Sequence, residues 1–175
     1  LPVWSGPCVE PGAGSAVEQP AGAALALRRQ NLLVDCALVV RFFPAWFEDV
    51  DLAARLRDRG DSILYWPEAR FLHQLGSSVS RLGYERFLWI HYRNLLIYLR
   101  KHHGALWSVI ARALLVPTCL IRLVLLPFRQ PKRAVSRQAA AAGLWALAIG
   151  ALTNWRLPGD FAAAFESEPA QRGPA

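Results

Sequence analysis

Residues 42–60 read FFPAWFEDVDLAARLRDRG, and this stretch contains the clearest helix signal in the chain. Acids stand where a first helical turn favours negative charge. Leucines four residues apart share one face, and a glycine follows as a C-terminal stop. These features predict a helix over 49–59, and the residues that carry the prediction are Asp49, Asp51, Leu52, Leu56 and Gly60.

The same stretch sets three carboxylates, Glu48, Asp49 and Asp51, directly beside the aromatic residues of FFPAWF. Moving a charged group out of water is costly, so the position of these carboxylates beside aromatic side chains requires an explanation. One interpretation is an ordinary helix N-terminus that carries acids. The other is a site in which an aromatic surround raises the pKa of a carboxylate, allowing it to accept a proton from a sugar hydroxyl.

On either side of this helix the sequence predicts loops and short extended segments. Residues 1–24 are rich in Gly, Pro and Ala and predict a loop or linker. The apolar runs 25–29 and 32–40 fit a buried strand or helix segment equally well. SILYW at 62–66 predicts a short strand, and EARFLH at 68–73 predicts a second extended piece.

The C-terminal half predicts helices of a different character. A long helix over 80–103 has an apolar side and a basic side, and Arg93-Asn94 on it are candidate contacts for phosphate or acceptor. Residues 106–128 are very apolar but are interrupted by two arginines and two prolines. Since a central Arg is costly in a membrane span, we expect this segment to lie in the membrane interface. Residues 139–155 predict a helix packed on the rest, with a marginal membrane span as the alternative.

Charge is distributed unevenly along the 175 residues, which carry a formal net charge of +7. Between Arg81 and Arg137, Glu85 is the lone acid. Such a basic stretch suits an anionic surface, either nucleic acid or the cytoplasmic membrane leaflet. Because the cations are interleaved with long apolar runs, the pattern favours the membrane over nucleic acid.

The chain contains no Met and begins with Leu, which predicts a fragment of a longer protein or a misread start. Its three cysteines, Cys8, Cys36 and Cys119, form no CxxC and no metal-ligand spacing. We expect them to be reduced, small, buried apolar residues.

Several motifs occur together in an order that resembles the C-terminal half of the catalytic domain of family 2 glycosyltransferases. The closest group is the rhamnosyltransferase-like and galactofuranosyltransferase-like members that build bacterial cell-surface polysaccharides. FEDVD alone would be a weak signal, whereas the set is quite specific. The motifs are QPAGAALALRR (19–29), RFFPAWFEDVDLAARLRDRG (41–60), YWPEARFLHQLGSS (65–78) and YRNLLIYLRKHHG (92–104).

This resemblance implies an α/β fold: part of a GT-A nucleotide-sugar transferase, followed by C-terminal amphipathic helices. Residues 1–104 would be the C-terminal half of the catalytic domain. Residues 105–157 would be apolar and basic membrane-associated helices, and residues 158–175 a disordered tail.

The resemblance also implies roles for individual residues. Asp49 would be the general base that deprotonates the acceptor hydroxyl in an inverting displacement, with Glu48 and Asp51 orienting the site and capping the helix. Trp46, Asp51 and the Gly22-Ala23 loop would bind the acceptor. His73 would help hold the divalent metal, Mg or Mn, that offsets the charge of the diphosphate leaving group.

The expected function is therefore sugar transfer, with rhamnose as the favoured sugar, from a nucleotide-sugar donor to a lipid-linked or polysaccharide acceptor. It would take place at the cytoplasmic face of the bacterial inner membrane, with the chain bound peripherally. Two departures stand out: VDCALVV (34–40) replaces the family's Gly-Gly-Phe-Asp-Glu type turn, and the nucleotide-binding half with its DxD motif is not in the chain. The alternatives are a non-catalytic membrane-associated fragment and a basic nucleic-acid-binding module.

Overall fold

The computed structural model describes residues 12–20, 22, 24–28, 40–72, 83–128, 136–153 and 155. Within these residues the chain forms four α-helices and no strand or sheet. The helices are α1 (Glu48–Asp58), α2 (Gly83–His102), α3 (Ala105–Leu125) and α4 (Arg137–Thr153), and a short 3-10 helix spans Val40–Phe42. The chain divides into two compact units, Leu1–Arg81 and Leu82–Ala175.

The prediction of an α/β, partial GT-A fold is wrong for the part of the chain that the structure describes. The segment predicted as the strand 62–66 forms a single isolated antiparallel bridge, between Ala16 and Leu64. Backbone hydrogen bonds surround that bridge, from Val17 N to the Ile63 carbonyl at 2.8 Å and from Tyr65 N to the Ser15 carbonyl at 2.9 Å. No third segment extends this pairing among the described residues, and two short extended segments alone do not make a stable sheet.

Helix α1 begins one residue earlier than predicted and ends as its sequence indicates. Gly60 takes a left-handed φ of 79°, and its N–H donates to the Arg57 carbonyl at 2.8 Å. The Asp61 N–H reaches back to the Leu56 carbonyl at 2.9 Å, which completes a Schellman stop. Leu52 and Leu56 are both buried and pack with Leu27 and Ile63, so the predicted apolar face is confirmed.

The C-terminal unit contains three helices that pack against one another. Helix α3 returns along α2 after Gly104: the Ser108 hydroxyl donates to the Leu96 carbonyl at 3.2 Å, and Tyr92 packs against the cluster that contains Cys119. Helix α4 completes the core. The buried members of this cluster are Leu115, Cys119, Leu144, Leu147, Ala148 and Ala151.

Helix α4 can approach its neighbours closely because small residues line its packed side. A Cβ added at Gly143 would lie 3.1 Å from Leu88 Cδ1 and 3.3 Å from the Glu85 Cα, so α2 and α4 are in backbone-close contact there. The prediction that this segment is a helix packed on the rest is confirmed. The predicted tail 158–175 lies outside the described residues.

Helix α3 runs without interruption through Pro117, where the sequence predicts a break. A proline leaves the carbonyl four residues earlier without its N–H partner. The Thr118 hydroxyl bonds the next carbonyl, that of Leu114, at 2.6 Å. The helix ends at Leu125, before Pro127. Among the described helices, α3 alone is long and apolar enough to cross a membrane, judged by length and composition only.

Candidate functional site around the start of α1

The backbone immediately before α1 is unusual. Trp46 and Phe47 have φ angles of 69° and 74°, in the left-handed region that bulky side chains rarely adopt. Such conformations carry a free-energy cost of about 1–3 kcal/mol each and concentrate at functional sites. Phe47 is the N-cap and makes no side-chain cap hydrogen bond. The helix start therefore depends on other groups to satisfy its free N–H groups.

Asp49 supplies that function and also holds a distant loop. Its Oδ1 accepts the Val50 N–H at 2.8 Å, within the first turn. Its Oδ2 accepts the Gly22 N–H at 2.9 Å, from a residue 27 positions earlier in the chain. A Cβ at position 22 would lie 3.3 Å from the Asp49 Cβ, so glycine permits this approach. The structure thus brings together two residues that the sequence analysis assigned to one site.

Glu48 lies beside Asp49 in the first turn of α1. Burial raises the pKa of Glu48 above its ordinary value, and the adjacent Asp49 charge adds to the increase, while a backbone hydrogen bond opposes it. Its Oε2 is buried and accepts no hydrogen bond from the residues that the structure describes. A carboxylate with a raised pKa is a stronger proton acceptor than an ordinary Glu.

Asp51 has a different environment from Glu48 and Asp49. Its side chain is 0% exposed, and its Oδ2 accepts the Arg55 Nε–H at 2.9 Å, one helical turn later. The predicted roles of Asp51, to bind the acceptor and to cap the helix, do not fit this buried ion pair. The i, i+4 spacing of Asp51 and Arg55 is a sequence signal that could have identified the pair.

The other predicted residues are placed as follows. Trp46 is half-buried and lies directly before the helix start. Ala23 and His73 lie outside the described residues, so the acceptor and metal predictions that rest on them stay predictions. Within the described ranges, no group of three or more His, Cys, Asp and Glu side chains is arranged to hold a metal ion.

Arg93 and Asn94, the candidate phosphate contacts on α2, have a structural role. Asn94 is fully buried in the C-terminal unit, and its Oδ1 accepts the Arg93 Nη1–H at 2.9 Å. The Arg93 guanidinium also lies 5.8 Å from the centroid of the Trp89 ring. Cys119 is buried, as predicted, and forms no disulfide among the described residues; Cys8 and Cys36 lie outside them.

Comparison with models of protein families, with curated proteins and with solved structures finds no match to this chain.

Proposed function

We propose that this chain takes part in sugar transfer at a membrane surface, with the carboxylates at the start of α1 accepting the proton of an acceptor hydroxyl. The observation that carries the proposal is the contact between Asp49 Oδ2 and the Gly22 N–H. It joins the acidic helix start to the loop that the resemblance assigns to the acceptor. The proposal rests on this local geometry and on the motifs, and it makes no use of a GT-A sheet.

The chemistry needs a general base because a sugar hydroxyl is a weak nucleophile at neutral pH. Asp49 contacts Gly22 directly, so it would lie beside an acceptor bound at that loop. Glu48 stands beside it with a raised pKa and a buried oxygen that has no partner among the described residues. The aromatic residue before the helix, Trp46, offers an apolar ring on which a sugar face can stack.

The donor and acceptor follow from the resemblance. A nucleotide sugar, with rhamnose favoured, would supply the glycosyl group, and a lipid-linked glycan would receive it at the cytoplasmic face of a bacterial inner membrane. The divalent metal proposed with His73 would offset charge on the diphosphate leaving group. His73 lies outside the described residues, so the structure does not describe that metal site.

Transfer of label from a nucleotide sugar to a lipid extract tests the proposal, using membranes from cells that produce the chain. We expect Asp49→Asn to lower transfer about 100-fold or more, the scale of a lost general base. Glu48→Gln should have a smaller effect, and Glu68→Gln, at an exposed position of the same unit, should have none.

The alternative outcomes separate the two carboxylates. Loss of transfer in Glu48→Gln but not in Asp49→Asn would move the base to Glu48. Normal transfer in both variants would remove the carboxylates from the chemistry.

A second candidate, a non-catalytic membrane-associated protein, is favoured by one observation. Only 11% of the residues in the apolar window of α3 are buried, although the helix is long enough to cross a bilayer. Membrane binding without any dependence of lipid glycosylation on the chain would support this candidate over the first.

A further inference from the structure

One side of α3 presents an apolar ridge to the surroundings. Its members are spaced by three, four or seven residues, and each of these spacings returns to nearly the same helix face. All are exposed, and no charged residue interrupts the row. The ridge consists of Leu106, Ile110, Leu114, Ile121 and Val124.

The opposite side of α3 faces the core of its unit. Leu115 and Cys119 are the buried residues of the helix. With about 100° between successive residues, Arg112 and Arg122 lie about 40° to either side of the line through those two residues. The cations therefore stand on the half of α3 that faces the other helices, and the ridge stands on the half that faces away.

The unit as a whole is strongly basic. Residues 83–128 and 136–153 contain seven lysines and arginines against the single acid Glu85. Exposed members include Arg100 and Lys101 at the end of α2, next to the start of α3, and Arg137 at the start of α4. This charge complements a surface of anionic phosphates, which an apolar ridge alone would not select.

The packing of α2 along α3 decides between spanning the bilayer and lying on it. The contacts of Ser108 with Leu96 and of Tyr92 with the Cys119 cluster hold the two helices side by side. A spanning α3 would carry α2, with Arg86 and Arg93, into the hydrocarbon. Ionised side chains are costly there, whereas at the interface they remain hydrated.

We propose that α3 lies in the plane of an anionic bilayer surface, with its apolar ridge in the boundary between headgroups and acyl chains. The other two helices then stand on the water side, and Arg100 and Lys101, exposed next to the start of α3, contact lipid phosphates. Such in-plane helices bind through buried apolar area together with attraction to anionic lipid. The inference deepens the membrane placement in the proposed function and is independent of sugar transfer.

Flotation of the purified chain with lipid vesicles tests the inference. Phosphatidylcholine vesicles are compared with vesicles that also contain phosphatidylglycerol, in low and high salt. We expect binding to the anionic vesicles, weakened by salt. Leu114→Glu should weaken it about tenfold or more, since the variant replaces a leucine that membrane binding would bury with a charge.

The matched control is Leu72→Glu, which makes the same change in charge at a leucine that is 97% exposed in the other unit. It should bind like the unaltered chain. Ile121→Glu repeats the test at a second ridge position, so that a folding defect at one site does not decide the result. Circular dichroism verifies that each variant keeps its helices.

Three results would overturn the inference. Equal binding to neutral and anionic vesicles would remove the charge contribution. Unchanged binding of both ridge variants would show that the ridge is not the contact. Resistance of the bound chain to alkaline carbonate extraction would show a spanning helix. We expect Asp49→Asn to bind vesicles like the unaltered chain. A loss of sugar transfer in that variant would then not reflect a loss of membrane binding, so the two proposals are tested separately.

Discussion

The two units of the chain use α-helices for opposite purposes. In the N-terminal unit, α1 buries Leu52 and Leu56 in a small cluster and carries three of its four acids in the first turn. In the C-terminal unit, three helices share one larger apolar cluster, and over residues 83–128 and 136–153 every charge except that of Glu85 is positive. We propose proton transfer for the acidic helix start and binding to an anionic surface for the basic helices.

Among the residues that the structure describes, each unit buries one polar side chain completely, and a nearby arginine pairs with it. Asp51 pairs with Arg55 four residues later, and Asn94 with Arg93 beside it. A buried polar group without such a partner would cost about 1–3 kcal/mol. The two units differ in the size of their apolar clusters, and this difference can be tested by substitution.

The largest expected effect is on the larger core. Leu147 is almost fully buried among the other members of the three-helix cluster, whereas Leu52 has one buried leucine and two half-buried neighbours. We expect Leu147→Ala to lower the free energy of unfolding by about 4 kcal/mol and Leu52→Ala by about 2 kcal/mol, because the smaller cluster can collapse more easily around the cavity. Amide hydrogen exchange, followed separately in α1 and in α4, measures both.

Leu152→Ala, at an exposed position of α4, is the control and should change exchange little. Equal losses from the two core substitutions would contradict the comparison. A larger loss from Leu52→Ala would reverse it and show that the small cluster is the more rigid one.

The sequence predicted the helices correctly, but the sheet that it also predicted is absent from the described residues. In α1, Leu52 and Leu56 define the buried face, and Gly60 ends the helix. Both features depend on residues that are close together in the sequence. The strand prediction at 62–66 rested on apolar and aromatic composition, which cannot show whether enough partner strands exist to make a sheet. Here one short segment pairs with it, through Ala16.

The candidate site was predictable in part for the same reason. That Asp49 lies at a helix start follows from its neighbours, and its ion-paired neighbour Asp51 has Arg55 at a spacing that the sequence displays. The contact between Asp49 and Gly22 spans 27 residues, and only the resemblance linked them beforehand. The prediction of a break at Pro117 was wrong. Proline usually ends a helix, but α3 continues through this position.

A middle-sized effect is expected from the buried ion pair of the N-terminal unit. Asp51→Asn removes the charge that the Arg55 Nε–H meets, and a hydrogen bond to a charged group contributes about 1.5–3 kcal/mol. We expect a loss in the free energy of unfolding near the lower end of that range, because the Arg55 side chain is 16% exposed and keeps some water. Urea denaturation followed by circular dichroism measures it.

Asp58→Asn on the same helix is its control. Asp58 is exposed in the last turn, where the helix dipole disfavours an acid, so its removal should be neutral or slightly stabilising. Equal effects at positions 51 and 58 would mean that the ion pair contributes nothing beyond a surface charge.

The smallest effect is expected at Glu48, and its sign depends on pH. Because burial raises the pKa of Glu48, the folded chain binds this proton more tightly than the unfolded chain does. Glu48 therefore lowers the free energy of unfolding as pH rises through its folded pKa, and the cost is absent in acid, where the side chain is neutral in both states. Glu48→Gln should thus gain stability relative to the unaltered chain on going from about pH 4 to pH 8, by about 0.5 kcal/mol or less, because water screens the charge of a partly exposed carboxylate. The opposite slope would mean that the favourable interaction of an ionised acid with the start of α1 outweighs its desolvation. The acidic helix start would then be a purely stabilising feature of the N-terminal unit, and Glu48 would lose its support as a partner of Asp49 in proton transfer.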